Sequence, residues 1–394
     1  MTPSEEAAGP PPAPPTAPPS QEGGAPAPVG PPPRRARSPQ QRLVAFLTSP
    51  TLAIAILVVV LLCCLVGVTL VRGARAGELI FATLWFNGLL VLLAISSATA
   101  FFTRIWKRRL TTVSVGMIIF HLSFAALLGG VVYDSLFFFQ GVLRLTEGET
   151  LPNDQPESYD QADHGRFFDY GRLRGETTLV RMHTGYKVDG DDKRAAYEIA
   201  VWDGASRVQR VIYVTEYLDF GGVRFFCMKE GYSVLLVMTD RQGRERAGAH
   251  VPLQSYKQGD GTYLYASGSA AEPGGFPFPP PPEAPQVGVK LTYWPSQVER
   301  AGQVGLVAWP VDPGKAGEAP PAQHQGLVPL GGRVEAGEVS LSPREIRYWV
   351  GMNVRYDPGL NVVLASLCLG LVGMVITFVG RLRQGPGRKR AAAN

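Results

Sequence analysis

The sequence predicts an integral membrane protein of four transmembrane helices carrying one large all-β, sandwich-like domain on the extracytoplasmic side. Three observations lead there: four charge-free apolar runs of spanning length, a long polar segment rich in β-branched residues between the third and fourth runs, and Lys and Arg clusters flanking the runs mainly on one side. The 394 residues carry a formal net charge of +5, with a pI near 9.0. The basic residues stand beside apolar runs, which is the pattern of membrane topology, so no nucleic-acid partner is expected.

Residues 1–42 are mostly Pro, Ala and Gly with few large apolar groups, and such a stretch cannot bury enough surface to offset chain entropy. It is expected to be a disordered tail. No apolar core follows Met1 as in a cleaved leader, so the first span is expected to act as an uncleaved signal anchor. Ser49-Pro50 supplies an N-cap and a proline at the first helical position, and residues 51–71 then carry no charge. Residues 79–103, 110–133 and 359–380 are likewise charge-free, each long enough to cross a hydrocarbon core of about 30 Å.

Arg34, Arg35, Arg37 and Arg42 precede the first span, Arg104, Lys107, Arg108 and Arg109 separate the second from the third, and Arg381, Arg383, Arg388, Lys389 and Arg390 lie in the basic tail 381–394. The opposite short loop has only Arg72 and Arg75. Positive residues concentrate on the cytoplasmic side, which puts both termini there and residues 134–358 outside.

That outer segment reads as β structure. Tyr197–Trp202, the Asp203-Gly204 turn and Arg207–Val214 form a hairpin signal. Val223–Met228, Val234–Thr239 with the turn Asp240–Gly243, Val287–Trp294 and Val304–Trp309 read as further strands, and Phe276 to Pro282 as a loop because proline is excluded from central strands. Cys63, Cys64 and Cys368 fall inside spans. Cys227 alone remains for the β domain, which must be held by its core and not by a disulfide.

His121 is the residue that points to chemistry. About eleven residues, or roughly 17 Å of helix, separate it from the cytoplasmic arginines, which places it near mid-membrane. An ionisable side chain there is costly, and neutral imidazole is a good axial ligand for haem iron. The alternative is a histidine hydrogen-bonded across a helix interface. Ala125 and Gly129 follow on the same face, small enough for a second helix or a flat ring to approach. No second histidine lies in any span, so a bis-histidine site needs a partner chain. Met117 reads as a packing residue and Met374 as a weak alternative ligand. Asn87 with Gly88 reads as a helix-packing pair. His164, His183, His250 and His324 are scattered without metal-ligand spacing. There is no nucleophile elbow, phosphate-cradling glycine loop or zinc-protease helix motif, so catalysis by this chain alone has no support.

Five segments together resemble the ResB (CcsB) family of cytochrome c biogenesis proteins, System II. They are Ser49-Pro50 with Gly67, Phe120-His121-Leu122 through Gly129-Gly130, Gly141 to Glu149, Leu218 to Tyr232 with its Gly231-Tyr232 turn, and Val354 to Gly359. The resemblance covers roughly residues 43–380 and leaves out the Pro-rich tail and the Phe276 to Pro282 loop. It implies a multi-pass protein of the bacterial inner membrane that works with a ResC/CcsA-type multispan partner. The pair would carry haem b across the membrane and present it to apocytochrome c, with His121 as an axial ligand. It further implies a non-catalytic or co-catalytic subunit of a synthase complex. A competing reading is a membrane scaffold or envelope sensor in which the β domain binds a partner and no haem is involved.

Overall fold

The computed structural model describes residues 38–71, 74–105, 110–193, 195–269, 271, 273–281, 283–296, 298, 300–310 and 324–384. Most of the N-terminal tail, residues 106–109 with the basic Lys107, Arg108 and Arg109, and most of the basic C-terminal end lie outside them. The segment expected to be disordered up to residue 42 is helical from Pro39, as α1 (Pro39–Leu47).

Among the described residues four helical spans are long and apolar enough to cross a membrane, and the chain is a membrane protein with a large soluble domain. The first is α2 (Pro50–Val66), which widens into a π-helical turn at Gly67–Val71. A short connection follows through α3 (Ala74–Ala76) and a second π-helical turn, Gly77–Phe81. The second span, α4 (Leu84–Ile105), therefore starts five residues later than its apolar run. Asn87 explains the break, because its amide nitrogen meets the carbonyls of Phe81 and Thr83 and the hydroxyl of Ser135. The third, α5 (Thr112–Phe137), is capped by the Thr111 hydroxyl, which accepts from the Ser114 N–H. It continues past Asp134, where the charge-free run stops, because that carboxylate accepts a hydrogen bond from the Gly359 N–H at 3.1 Å. The fourth is α6 (Leu360–Gln384).

Helices α5 and α6 pack along a seam of small residues seven apart: Gly116, Ser123 and Gly130 on one, Gly359, Ser366, Gly373 and Gly380 on the other. Small side chains let helix backbones approach closely where lipid supplies no hydrophobic drive to associate. A Cβ on Gly373 would stand 2.7 Å from the Phe120 nitrogen.

Among its described residues the soluble domain holds three antiparallel sheets and a small hairpin. The largest orders β11 (Glu245–Pro252), β10 (Val223–Asp240), β19 (Val339–Tyr356), β1 (Phe139–Thr146) and β3 (Tyr159–His164), with β9 (Tyr217–Phe220) on β10 and β18 (Val334–Ala336) on β19. A second orders β12 (Gln254–Lys257), β13 (Tyr263–Ala266), β15 (Val287–Pro295), β16 (Gly302–Pro310) and β17 (His324–Pro329), with β14 (Phe276–Phe278) on β15. The third orders β2 (Thr150–Pro152), β4 (Glu176–Thr184), β7 (Ala195–Trp202) and β8 (Arg207–Ile212). The hairpin pairs β5 (Lys187–Val188) with β6 (Asp191–Asp192).

Strands β10 and β19 have 18 residues each, about 60 Å if fully extended, and run through two separate cores. One core packs Phe139, Leu143, Ile199, Phe225 and Val350 against the third sheet, and the other packs Leu236, Leu291, Leu306 and Leu341 against the second. Each such fully buried side chain contributes about 1.5–3 kcal/mol before entropy is counted. The domain is thus two sandwich lobes sharing two strands.

Two expectations change here. Gly231-Tyr232 is no turn: Val223–Met228 and Val234–Thr239 are halves of one strand, bulged between Cys227 and Lys229. Glycine is required at 231 because the Trp349 indole lies against it; a Cβ there would be 2.6 Å from the indole nitrogen. Phe276–Phe278 is an edge strand and not a loop. Pro277 is accommodated because β14 has a neighbour on one side only, where it pairs with Gly288.

Candidate functional site

His121 is the tenth residue of α5, about 14 Å along the helix from its start. Its Nδ1 lies 2.8 Å from the carbonyl oxygen of Met117, one turn earlier. A carbonyl can only accept, so Nδ1 carries the proton and donates it. In the neutral tautomer with that bond, the lone pair is at Nε2. Met117 therefore acts through its backbone carbonyl.

The ring is also held on its flat side. Phe101, buried on α4, stacks on the imidazole with centroids 4.0 Å apart and planes 11° from parallel, and Phe120 meets it edge-on at 5.4 Å. A main-chain acceptor and an aromatic clamp fix orientation and tautomer together, which is how proteins prepare a histidine for ligation. Such fixing would serve equally to seat a histidine in a helix interface.

The α5–α6 seam lies on the face of α5 opposite His121. Gly129 lies off that seam and is exposed, and a Cβ added there would meet nothing within 4 Å, so this stretch of α5 is open to a further helix or ring. Met374 is exposed on α6. Asn87 and Ser135 are absorbed in tying α4 to α5, and Ser135 donates to the Phe81 carbonyl at 2.7 Å.

The remaining histidines do not converge. His164 approaches the Gly165 carbonyl at 3.1 Å within an aromatic group of Phe168 and Tyr170. His183 lies 3.5 Å from the Glu198 carboxylate, and His250 is half-buried on β11 with Nδ1 unpartnered. Burial, then the Arg347 charge, holds the His250 imidazole below its ordinary value. The side chain of His324 lies outside the described residues. Among the described residues no cluster of three or more His, Cys, Asp or Glu is placed to hold a metal ion.

The motif segments of the soluble domain do meet. Phe139 of β1 and Val223 of β10 both pair with Tyr356 of β19, where these strands approach the spans. Arg224 is ion-paired with Asp357, and Gly359 donates to Asp134. Thr146 to Glu149 forms a tight turn with Gly148 at φ +84°, closed by the Glu149 N–H donating to the Thr146 carbonyl at 2.8 Å. Glu147, 7% exposed, accepts from the Met182 N–H and from Arg300 in the β15–β16 turn, joining the two lobes. These acidic residues serve the frame.

The sequence profile of the ResB-like family matches residues 111–384, well over half of the chain and spanning α5, the whole soluble domain and α6. Among curated proteins none matches.

Proposed function

Since the chain belongs to the ResB-like family, which is associated with cytochrome c biogenesis, we propose that it handles haem in that process as one subunit of a membrane complex. The cargo is haem b. His121 donates one axial ligand through Nε2, and a ResC/CcsA-type multispan partner supplies the opposite ligand and the surface on which haem meets apocytochrome c. The chain sits in the bacterial inner membrane with both termini cytoplasmic and the β domain outside, following the distribution of Lys and Arg. The observation that carries this reading is the Nδ1 donation to Met117, which leaves an imidazole in a spanning helix with its ligating lone pair at Nε2.

The test is purification of the chain with its partner, followed by an absorbance spectrum. A Soret band that is lost or shifted in His121→Ala, and partly restored when imidazole is added, is the expected outcome. No band in the wild-type complex, or a band unchanged in His121→Ala, would remove His121 from the ligand set.

A further inference from the structure

We propose that the loop of residues 165–168, between β3 and β4 of the soluble domain, is a membrane-surface anchor that seats Phe167 in the headgroup layer of the phospholipid bilayer and Arg166 on lipid phosphate. The position of this loop is set by a span. The Gly165 N–H donates to the Phe138 carbonyl and the Phe167 N–H to the Leu136 carbonyl, each at 2.9 Å, so the loop is held against the last turn of α5. No side chain fits at 165, where a Cβ would stand 2.3 Å from the Leu136 carbonyl carbon.

The depth of that turn follows from the length of the helix. A hydrocarbon core of about 30 Å takes about 20 helical residues, whereas α5 has 26. Counted from Thr112, just after the basic residues, the core ends near Val131, and the last turn of α5 stands in the interfacial layer on the side of the soluble domain. Phe167 stands with it, 53% exposed. Tyr133 and Trp85 are exposed in the same layer. Trp85 opens α4 two residues before Asn87, whose amide donates to the Ser135 hydroxyl, and this sets the start of α4 level with the end of α5. Phe137 links the loop to the helix, its ring 5.0 Å from Tyr133 and 6.0 Å from Phe167. The exposed ring of the loop thus continues the exposed apolar surface of α5 into a belt of aromatic side chains at one depth, which is where membrane proteins collect them.

The neighbouring side chains divide the work. Phe168 stacks on the fully buried Phe139 with centroids 4.9 Å apart, so the domain keeps one ring of the pair and turns the other out. Arg166 is exposed and makes no ion pair among the described residues. The acids closest to it in sequence are engaged elsewhere. Asp169 accepts from the Gly171 N–H at 3.1 Å, and Asp163 faces the α2–α4 connection, where a Cβ on Gly77 would stand 3.6 Å from its carboxylate. An exposed ring beside an unpaired guanidinium on a long stem fits a phospholipid surface, because the ring enters the apolar side of the headgroup layer while the charge reaches phosphate. A belt confined to one depth is what a planar bilayer selects; a protein surface imposes no such level.

The full chain carrying Phe167→Trp, placed in nanodiscs of phosphatidylcholine and phosphatidylglycerol, tests the anchor. Its emission is compared with that of the unaltered chain, so that the native tryptophans cancel. Lipids with bromine high on the acyl chain quench a tryptophan in the interfacial layer, and iodide in the buffer quenches one in water. The added emission is expected to be blue-shifted, mostly lost to the brominated lipid and little changed by iodide. Leu327→Trp, at an exposed position of β17 in the lobe away from the spans, is the control and should respond the other way. Unaltered melting curves show that the variants fold. Adding Arg166→Glu to the Phe167→Trp chain should weaken quenching by the brominated lipid and strengthen quenching by iodide. An added emission that iodide quenches and the brominated lipid does not, as at position 327, overturns the anchor and leaves the loop to a protein partner. Unchanged quenching in the Arg166→Glu chain overturns the phosphate contact.

Discussion

Replacing Gly373 by alanine, beside the same change at Gly129, tests whether the seam between α5 and α6 is what holds the helices together. At Gly373 the new Cβ would stand 2.7 Å from the Phe120 nitrogen and 2.8 Å from the Gly116 carbonyl oxygen, both main-chain atoms, so no rotamer change relieves the clash and the helices must part. Overpacking costs about 1–3 kcal/mol, against a gain of up to about 1 kcal/mol in helix propensity on leaving glycine. The net expectation is a loss of about 1–2 kcal/mol. At Gly129 nothing lies within 4 Å of the added atom and only the propensity gain remains. Thermal unfolding of the two purified variants in one detergent, followed by circular dichroism, should shift in opposite directions. Gly116→Ala should behave like Gly373→Ala, and the double variant should cost less than the sum, because both changes open one contact. Equal shifts for Gly373→Ala and Gly129→Ala would refute the seam.

Phe101→Ala removes the ring stacked on His121 and should cost about 3–5 kcal/mol as a buried Phe truncation, with Phe101→Leu recovering most of the stability but not the haem spectrum; absorbance and melting curves read the two effects separately. Cys227 is buried and its thiol is pushed up to about 12, so iodoacetamide at pH 8 should leave it unmodified in the folded chain and alkylate it in denaturant, as mass spectrometry of the tryptic peptide will show. His250 is held below its ordinary 6.5, so the unfolded chain binds that proton more tightly than the folded one. Its neutral form favours folding above pH 6.5, and stability falls as pH drops from 6.5 through the lowered folded value. His250→Gln should flatten denaturant midpoints over that interval.

The spans were legible because hydropathy and charge are local signals, and they erred only where a polar side chain does a structural task. Asp134 looks like a helix end until Gly359 is seen to donate to it, and residues 79–83 look like part of one α-helix with α4 until Asn87 is seen gathering the Phe81 and Thr83 carbonyls. The 18-residue strand β10 was read in halves because Gly231 imitates a turn. Its partner, Trp349, is far away in sequence, and no local pattern announces an indole crossing the strand. The small residues at 116, 123 and 130, and at 359, 366, 373 and 380, were a readable signal, since a spacing of seven keeps one helical face. His121 stood out as an ionisable residue in an apolar run. Phe101 did not, because nothing in its own run distinguishes a ring that clamps an imidazole from one that faces lipid.

What the fold adds to the candidate site is a continuous frame. Strand β1 begins at Phe139, just after α5 ends at Phe137, and β19 ends at Tyr356, just before α6 begins at Leu360. The connection is not a loose tether. The Gly359 N–H is held by Asp134, a Cβ on Gly359 would be 2.2 Å from the Gly130 carbonyl, and Asp357 is paired with Arg224 of β10. A hinge needs residues free to absorb large changes in φ and ψ, and these contacts occupy the short segment where one would have to lie. The helix pair and the strands β1, β10 and β19 therefore move as one unit. His121 belongs to that unit, and so do Tyr232, Tyr348 and Trp349 of the shared strands. Sites carried on helices and strands keep their geometry better than sites on loops.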